Sequence, residues 1–248
     1  MHILVSNDDG ITAPGIRALT RALAEVAKVT VVAPDRERSA TGHAITVHHP
    51  LRVRPVMDYY GAEAYSVDGT PADCVKIAIE ALPIERPSLV IAGVNRGANL
   101  GTDVLYSGTV SAAIEAAILG FPAIAVSLAD YRDDGYEAAA NFAAYLAATW
   151  HKQNLPPDTL LNVNWPKGTP KDIRVTTLGQ RRYMNTFEKR HDPWGREYFW
   201  MSGEVIADQD EKTDAWAVRN GYVSLTPIHF DLTNYPLLSH VREWNLRL

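Results

Sequence analysis

Ile3-Leu4-Val5-Ser6-Asn7-Asp8-Asp9-Gly10 joins a short branched apolar run to two adjacent carboxylates. A run of this kind reads as a buried strand of a parallel sheet. Open α/β sheets place their ligands in the crevice beyond the carboxyl ends of the strands, which puts Asp8 and Asp9 at that crevice. Two like charges side by side repel, and burial adds a cost unless a cation or hydrogen bonds compensate. A hard divalent cation held by oxygen ligands is the natural compensation. Read alone, Asn7-Asp8-Asp9-Gly10 also fits a turn ahead of the next helix, since Asp and Gly are ordinary turn residues.

Working outward, strands and helices alternate. Pro14 suits a first helical turn, and Ile16, Leu19, Leu23 and Val26 follow at helical spacing. Val29–Ala33 is a second strand stopped by Pro34, and the polar loop Asp35–Gly42 behind it forms another wall of the crevice. Ile45–Val53 and Ala64–Val67 read as shorter strands of a hairpin-like excursion. Thr70-Pro71-Ala72-Asp73 opens a helix reaching about Leu82, with an N-cap, a proline and a first-turn acid in register. Leu89–Ala92 is the next strand, followed by the Gly-rich loop Gly93–Asp103. The spacing predicts a helix over Val110–Leu119, a strand over Ala123–Leu128, a helix over Tyr136–Trp150 behind Asp133-Asp134-Gly135, and a strand over Leu160–Val163.

This order predicts an α/β fold with a mostly parallel, doubly wound sheet and the loops after Val5, Ala33 and Ala92 along one rim. Beyond Pro166 the character changes. Arg174–Leu178, Glu197–Met201 and Tyr222–Thr226 read as strands without alternating helices, and Phe187, Trp194, Tyr198, Phe199, Trp200 and Trp216 raise the aromatic content. The expected organisation is a metal- and phosphate-binding core over 1–166 and an extension over 167–248. The extension packs partly on the core and partly serves as β-hairpin arms for self-association.

The composition narrows the function classes. A net charge of -5 argues against a general nucleic-acid binder, because phosphate contacts along a polymer need a basic stripe. One cysteine, Cys74, excludes an intrachain disulfide and suits a reducing compartment. No apolar run approaches the ~20 residues of a membrane span, and the amino terminus enters its first strand at once. The expected location is the cytoplasm. A nicotinamide oxidoreductase would need G-x-G-x-x-G after the first strand, and a P-loop enzyme G-x-x-x-x-G-K-[ST]; neither occurs.

Three strand-end segments supply oxygen donors: Asp8 and Asp9, then Ser39, then Asn95. Carboxylates with neutral side-chain oxygens suit Mg²⁺, Mn²⁺ or Ca²⁺ rather than a thiolate zinc site. Ser107-Gly108-Thr109 opens a helix whose free amides and dipole favour an anion, with Gly108 allowing close approach, although a plain N-cap is an equal reading of the segment alone. Asn99 offers an amide in the neighbouring loop. His43 is the histidine best placed to contribute near a phosphate, since His48 and His49 lack partners at zinc spacing. Arg96 reads evenly as a phosphate clamp or an exposed charge. Cys74 reads as a small buried residue, and Glu115 as a helix acid that could touch the site.

Five segments occur in one order: Asn7-Asp8-Asp9-Gly10, the Ser39 loop, Tyr65-x-Val67-x-Gly69-Thr70-Pro71-Ala72-Asp73-Cys74, Gly93-Val94-Asn95-x-Gly97-x-Asn99-x-Gly101 and Tyr106-Ser107-Gly108-Thr109-Val110. Together they resemble the SurE family of stationary-phase survival proteins. The resemblance continues weakly through Asp192-Pro193-Trp194-Gly195 and Gly221–Pro227. It implies a Rossmann-like core, carboxyl-terminal arms exchanged in homodimers or homotetramers, and one divalent metal ion per subunit on Asp8, Asp9, Ser39 and Asn95. It also implies 5′-nucleotidase activity on nucleoside monophosphates, with 3′-nucleotides and short polyphosphate as further family substrates. Ala116 and Trp194 depart from the family pattern, the first in helix packing and the second in the extension.

On this reading Asp8 and Asp9 hold the metal and one of them takes a proton, while Asn99, Ser107, Gly108 and Thr109 hold the phosphate. Attack by water and formation of an aspartyl phosphate on Asp8 are both open. The alternative from another class is a nucleotide-binding regulatory module without turnover.

Overall fold

Residues His2–Ser6 (β1) are buried along their whole length in the middle of a nine-stranded sheet. The computed structural model describes the chain except residues 131–134, 151, 154, 157, 182, 185, 207, 245, 247 and 248. Asp133 and Asp134, expected in a turn, lie outside the described residues.

After β1 come α1 (Pro14–Ala24), β2 (Lys28–Pro34), β3 (Val53–Pro55), β4 (Glu63–Val67), α2 (Pro71–Glu80) and β5 (Leu89–Arg96). A 3-10 turn over Gly101–Leu105 leads to α3 (Gly108–Ile118), β6 (Ala123–Leu128), α4 (Tyr136–Trp150) and β7 (Leu160–Trp165). The remainder holds β8 (Ile173–Val175), β9 (Tyr183–Met184), β10 (Phe187–His191), β11 (Glu197–Met201), β12 (Glu204–Val205), α5 (Asp214–Arg219), β13 (Val223–Ile228) and α6 (Tyr235–Arg242).

The sheet order is β3-β4-β2-β1-β5-β6-β7-β13-β8, with β4 through β7 parallel. Alternation along β1 explains the layers: Ile3 and Val5 join Ile16, Leu19, Leu23 and Ala143 on one face, and Leu4 joins Cys74, Val75, Val110 and Ala113 on the other. Helix α1 packs on α4, and α2 on α3. The chain winds one way from β1 to β2 and the other from β1 to β5, so the reversal falls between β1 and β5. Ligands of such sheets bind outside the strand ends at this reversal. Asp8 follows β1, and Asn95 lies at the end of β5.

Three local expectations change. Asn95 lies in strand β5 rather than in a loop. The β5–β6 register shifts between Ala92 and Asn95, and Gly93, at φ +138°, absorbs the bulge. A Cβ on Gly93 would stand 2.3 Å from the Val126 carbonyl oxygen, so only glycine lets β5 continue here. Of Ile45–Val53 only the last residue enters a strand. The preceding backbone is held by the start of α2 instead: Thr46 N donates to Asp73 Oδ1 at 2.9 Å and the Thr70 hydroxyl to Ala44 O at 2.7 Å.

Helices also return after 166, as α5 and α6. Strand β13 pairs antiparallel with β7, and β8 parallel with β13, so part of this segment extends the central sheet. The β10–β11 hairpin is exposed along both strands, and α6 buries no residue. Among the described residues no helix is long and apolar enough to cross a membrane.

Candidate active site

The turn leaving β1 is closed by Asn7 Nδ2 donating to Gly10 O at 3.0 Å, while the buried Asn7 Oδ1 has no partner. Asp8 is only 4% exposed. Its Oδ1 accepts the Thr109 hydroxyl, and its carbonyl accepts Arg38 N at 2.7 Å. Burial pushes the Asp8 carboxyl up to about 6; the Thr109 bond opposes the rise, and the neighbouring Asp9 charge adds to it. Asp9 is half-buried, and its Oδ2 accepts the Arg96 amide at 3.1 Å, which joins the β1 loop to the end of β5. Asp9 lines a shallow cleft of about 210 Å³ with Pro14, Glu37, Arg96 and Tyr136. The Arg96 contribution to Asp9 is therefore its backbone, while its exposed side chain borders the cleft.

Asn95 Nδ2 donates to Gly97 O at 2.8 Å, which leaves the amide oxygen as the atom able to coordinate. Ser39 is exposed, and its hydroxyl donates to Glu37 Oε1 at 2.8 Å rather than to either aspartate. With the proton given to Glu37, the Ser39 oxygen keeps its lone pairs for a cation. Asp8, Asp9, Asn95 and Ser39 offer only oxygen donors, the chemistry a hard divalent ion would require. Among the described residues no three His, Cys, Asp or Glu side chains gather as a group that could hold a metal ion.

Helix α3 begins against this pair. Ser107 is its N-cap, with Oγ accepting Val110 N at 3.1 Å. A Cβ added to Gly108 would stand 2.7 Å from Asp8 Cβ. The Thr109 hydroxyl and backbone amide are both directed at the Asp8 carboxylate, so the Gly108 amide is the helix-start group left to meet an anion. The Asn99 side chain donates to Ser127 Oγ at 2.8 Å, and its backbone carbonyl accepts both Asn162 Nδ2 at 2.9 Å and Asn164 Nδ2 at 3.0 Å. Asn99 is thus bound on two sides before any ligand is considered.

His43 reaches Glu115, its Nε2 standing 2.8 Å from Oε2, while Lys76 Nζ stands 3.3 Å from Oε1. The His43 bond holds the Glu115 carboxyl below its usual range against burial, with Lys76 helping. Together with Gly42 N donating to Tyr106 O at 3.1 Å, this ties the Ser39 loop to the start of α3. His43 therefore acts on the loop, through Glu115.

Sequence reasoning missed Asn162, Asn164 and Asp214. Asp214, fully buried at the start of α5, accepts Gly101 N at 2.8 Å, Gly179 N at 2.9 Å and Ala215 N at 2.7 Å. Burial raises its carboxyl, and the three amides work against that rise. Arg181 adds an ion pair to Asp103 at 2.6 Å. The segment after 166 thereby braces the loop between Asn99 and Ser107. The signal was present as Thr213-Asp214 ahead of a helical turn, but its partners lie far away in sequence. Asp214→Ala strands two buried amides and is expected to cost about 2–6 kcal/mol, at ~1–3 kcal/mol for each unsatisfied group. Urea denaturation measures this, and an unchanged midpoint would show that the brace is dispensable.

Three comparisons bear on this geometry. The family model described as Survival protein SurE matches residues 3–185, which include Asp8, Asp9, Ser39, Asn95 and α3. A protein of Pelotomaculum thermopropionicum named 5′-nucleotidase SurE is 54% identical over 249 residues, covering 98% of this chain and 95% of that protein. One of Moorella thermoacetica with the same name is 55% identical over 240 residues, covering 95% and 92%. The crystal structure of the SurE protein from Aquifex aeolicus superposes with a TM-score of 0.87 at 42% identity, covering 98% of this chain and 99% of that one. With the family match spanning the aspartate pair, the bulged β5 and the start of α3, the chain belongs to the SurE family.

Proposed function

We propose that this chain is a divalent-metal-dependent phosphomonoesterase that hydrolyses nucleoside 5′-monophosphates to nucleoside and phosphate. The observation that carries this reading is the contact of Asp8 with Gly108 and Thr109, which sets a buried carboxylate directly against an anion-binding helix start. A carboxylate there repels a phosphate unless a cation stands between them. The relatives' name, 5′-nucleotidase SurE, supports the same substrate class.

Asp8, Asp9, Asn95 and Ser39 would hold one Mg²⁺ or Mn²⁺. When bound, that ion supplies positive charge to the phosphoryl oxygens and lowers the pKa of water. The protein groups perform the rest. The Gly108 amide and the α3 dipole bind non-bridging oxygens, with Ser107, Thr109 and Asn99 bordering them. Thr109 fixes the Asp8 rotamer, and the Arg96 amide fixes that of Asp9. One carboxylate of the pair accepts the proton of the attacking water. The same site would serve 3′-nucleotides and short polyphosphate, whose reacting group is also a phosphoryl.

The exposed Phe187, Phe199 and Trp200 of the hairpin, with Leu237 and Leu238 of α6, suit association with a second copy, giving a homodimer or homotetramer. The one buried thiol, Cys74, suits the cytoplasm. The test is phosphate release from a panel of nucleoside monophosphates with Mn²⁺, Mg²⁺ or chelator. Turnover is expected only with metal and is restored on its return. Turnover indifferent to chelator would overturn the metal reading, and binding without release would make the chain a regulatory module.

A further inference from the structure

The loop after β2 has two working sides. Glu37 faces the cleft of Asp9, whereas Arg36 and Arg38 on either side of it line a separate pocket of about 280 Å³. His49 and Arg52 close the pocket opposite, above Gly69 and Thr70 at the entry to α2.

The hydrogen-bonding capacity of its arginines is not used up within it. Arg52 pairs with Asp68, its guanidinium at 3.4 Å and its amide at 2.7 Å. Arg38 spends one donor on the neutral Asp68 carbonyl at 2.9 Å, and its Nε is buried without a partner. Asp35 is shared loosely by Arg36 at 3.5 Å and Arg38 at 3.8 Å. Asp35, Asp68 and, beneath Gly69 and Thr70, Asp73 match the three guanidiniums in number, but Asp73 is spent on Thr46 and Thr70. Most of the fifteen guanidinium N–H donors, five per guanidinium, remain unspent. The helix end adds nothing, because Asp73 already accepts Thr70 N at 2.9 Å in a capping box. The arginine forks therefore define what the pocket selects. Planar forks match the oxygens of a phosphoryl group, and the volume suits one such group with a few waters.

The pocket adjoins the reaction site. Arg38 N donates to the Asp8 carbonyl at 2.7 Å, and Ile11 N to the Pro34 carbonyl at 2.8 Å, so the loop is a common wall. We propose that Arg36, Arg38, His49 and Arg52 form a second phosphoryl-anion site beside the one that holds the reacting phosphate. Its occupant is either a second phosphate on the same nucleotide or a separate inorganic phosphate. The site itself requires only the arginine pocket; its role in turnover rests on the nucleotidase reading.

The test compares the full chain with Arg36→Ala/Arg52→Ala, two exposed side chains outside the catalytic groups. Arg52→Ala alone replaces the pair if the double variant unfolds. Calorimetric titration with inorganic phosphate, without metal, is expected to show a binding component that the variant weakens about 10-fold or more. This arm needs no turnover, so it stands or fails apart from the nucleotidase reading. In parallel, kcat/KM is measured on AMP and on adenosine 3′,5′-bisphosphate. A 10-fold fall on the bisphosphate alone assigns the site to a second phosphate of the substrate. Weakened phosphate binding with both substrates unchanged assigns it to a separate anion. Unchanged phosphate binding with both substrates unchanged overturns the site, as does an equal fall on both substrates, which would make the pocket part of the ordinary nucleotide site.

Discussion

Asp8→Asn is expected to abolish most phosphate release while making the metal-free protein more stable at neutral pH. The loss should be on the order of 10³-fold in kcat/KM, since a preorganised charge at the reacting phosphate is removed. The amide oxygen of Asn still accepts the Thr109 hydroxyl, so the contact with α3 survives. The stability gain follows from burial. The Asp8 carboxyl titrates near 6 in the fold against 3.8 ordinarily. Below pH 3.8 folded and unfolded chains both hold the proton, and no penalty exists. Between 3.8 and 6 the unfolded chain releases it while the folded chain keeps it, so stability falls as pH rises. Above about 6 the penalty is complete, at about 3 kcal/mol for the metal-free protein. Chemical denaturation with chelator at pH 4 and pH 8 should show this loss in the wild type and its absence in the variant. An identical pH slope in both would mean that Asp8 is not strained by its surroundings.

A buried carboxylate costly to the fold is readable in the sequence when its neighbours are contiguous with it. An adjacent Asp pair directly behind an apolar strand is a local signal, because strand, turn and carboxylates are contiguous. The capping box of Thr70 and Asp73 is legible for the same reason, and both of its bonds form. Legibility ends where partners are distant. Asn162 and Asn164 sit in a strand whose expected span stopped at Val163, and nothing nearby shows that they bind Asn99, more than sixty positions back. Gly93-Val94-Asn95 reads as the start of a Gly-rich loop, because glycine weakens a strand in general. Only the approach of Val126 shows that this glycine permits a bulge and leaves Asn95 on β5. The segment 45–52 has strand-like residues, but Asp73 takes the Thr46 amide and Asp68 takes that of Arg52, so side chains rather than a ladder hold its two ends. Trp194 lies at an exposed hairpin tip with Arg196 over its ring.

Gly108→Ala is expected to separate activity from stability in the opposite sense. Alanine at a helix start suits the backbone: interior helix propensity favours it over glycine by up to ~1 kcal/mol. Secondary structure should therefore persist, with this gain offsetting part of the ~1–3 kcal/mol that an overpacked contact costs. The added methyl group meets the site itself, 2.7 Å from Asp8 Cβ and 2.9 Å from Oδ2. Asp8 must then rotate or α3 must withdraw by several tenths of an ångström. Either movement shifts the carboxylate from the Thr109 hydroxyl and the helix amides from the phosphate. A displacement of about 1 Å in a catalytic group costs on the order of 10²-fold, and a loss of that size in kcat is the expected result. KM should change less than kcat, because the outer parts of the nucleotide keep their contacts. Steady-state kinetics beside a thermal melt checks both quantities. Full activity in a folded Gly108→Ala protein would mean that the phosphate does not meet the start of α3, and that the Asp8–α3 contact serves packing alone.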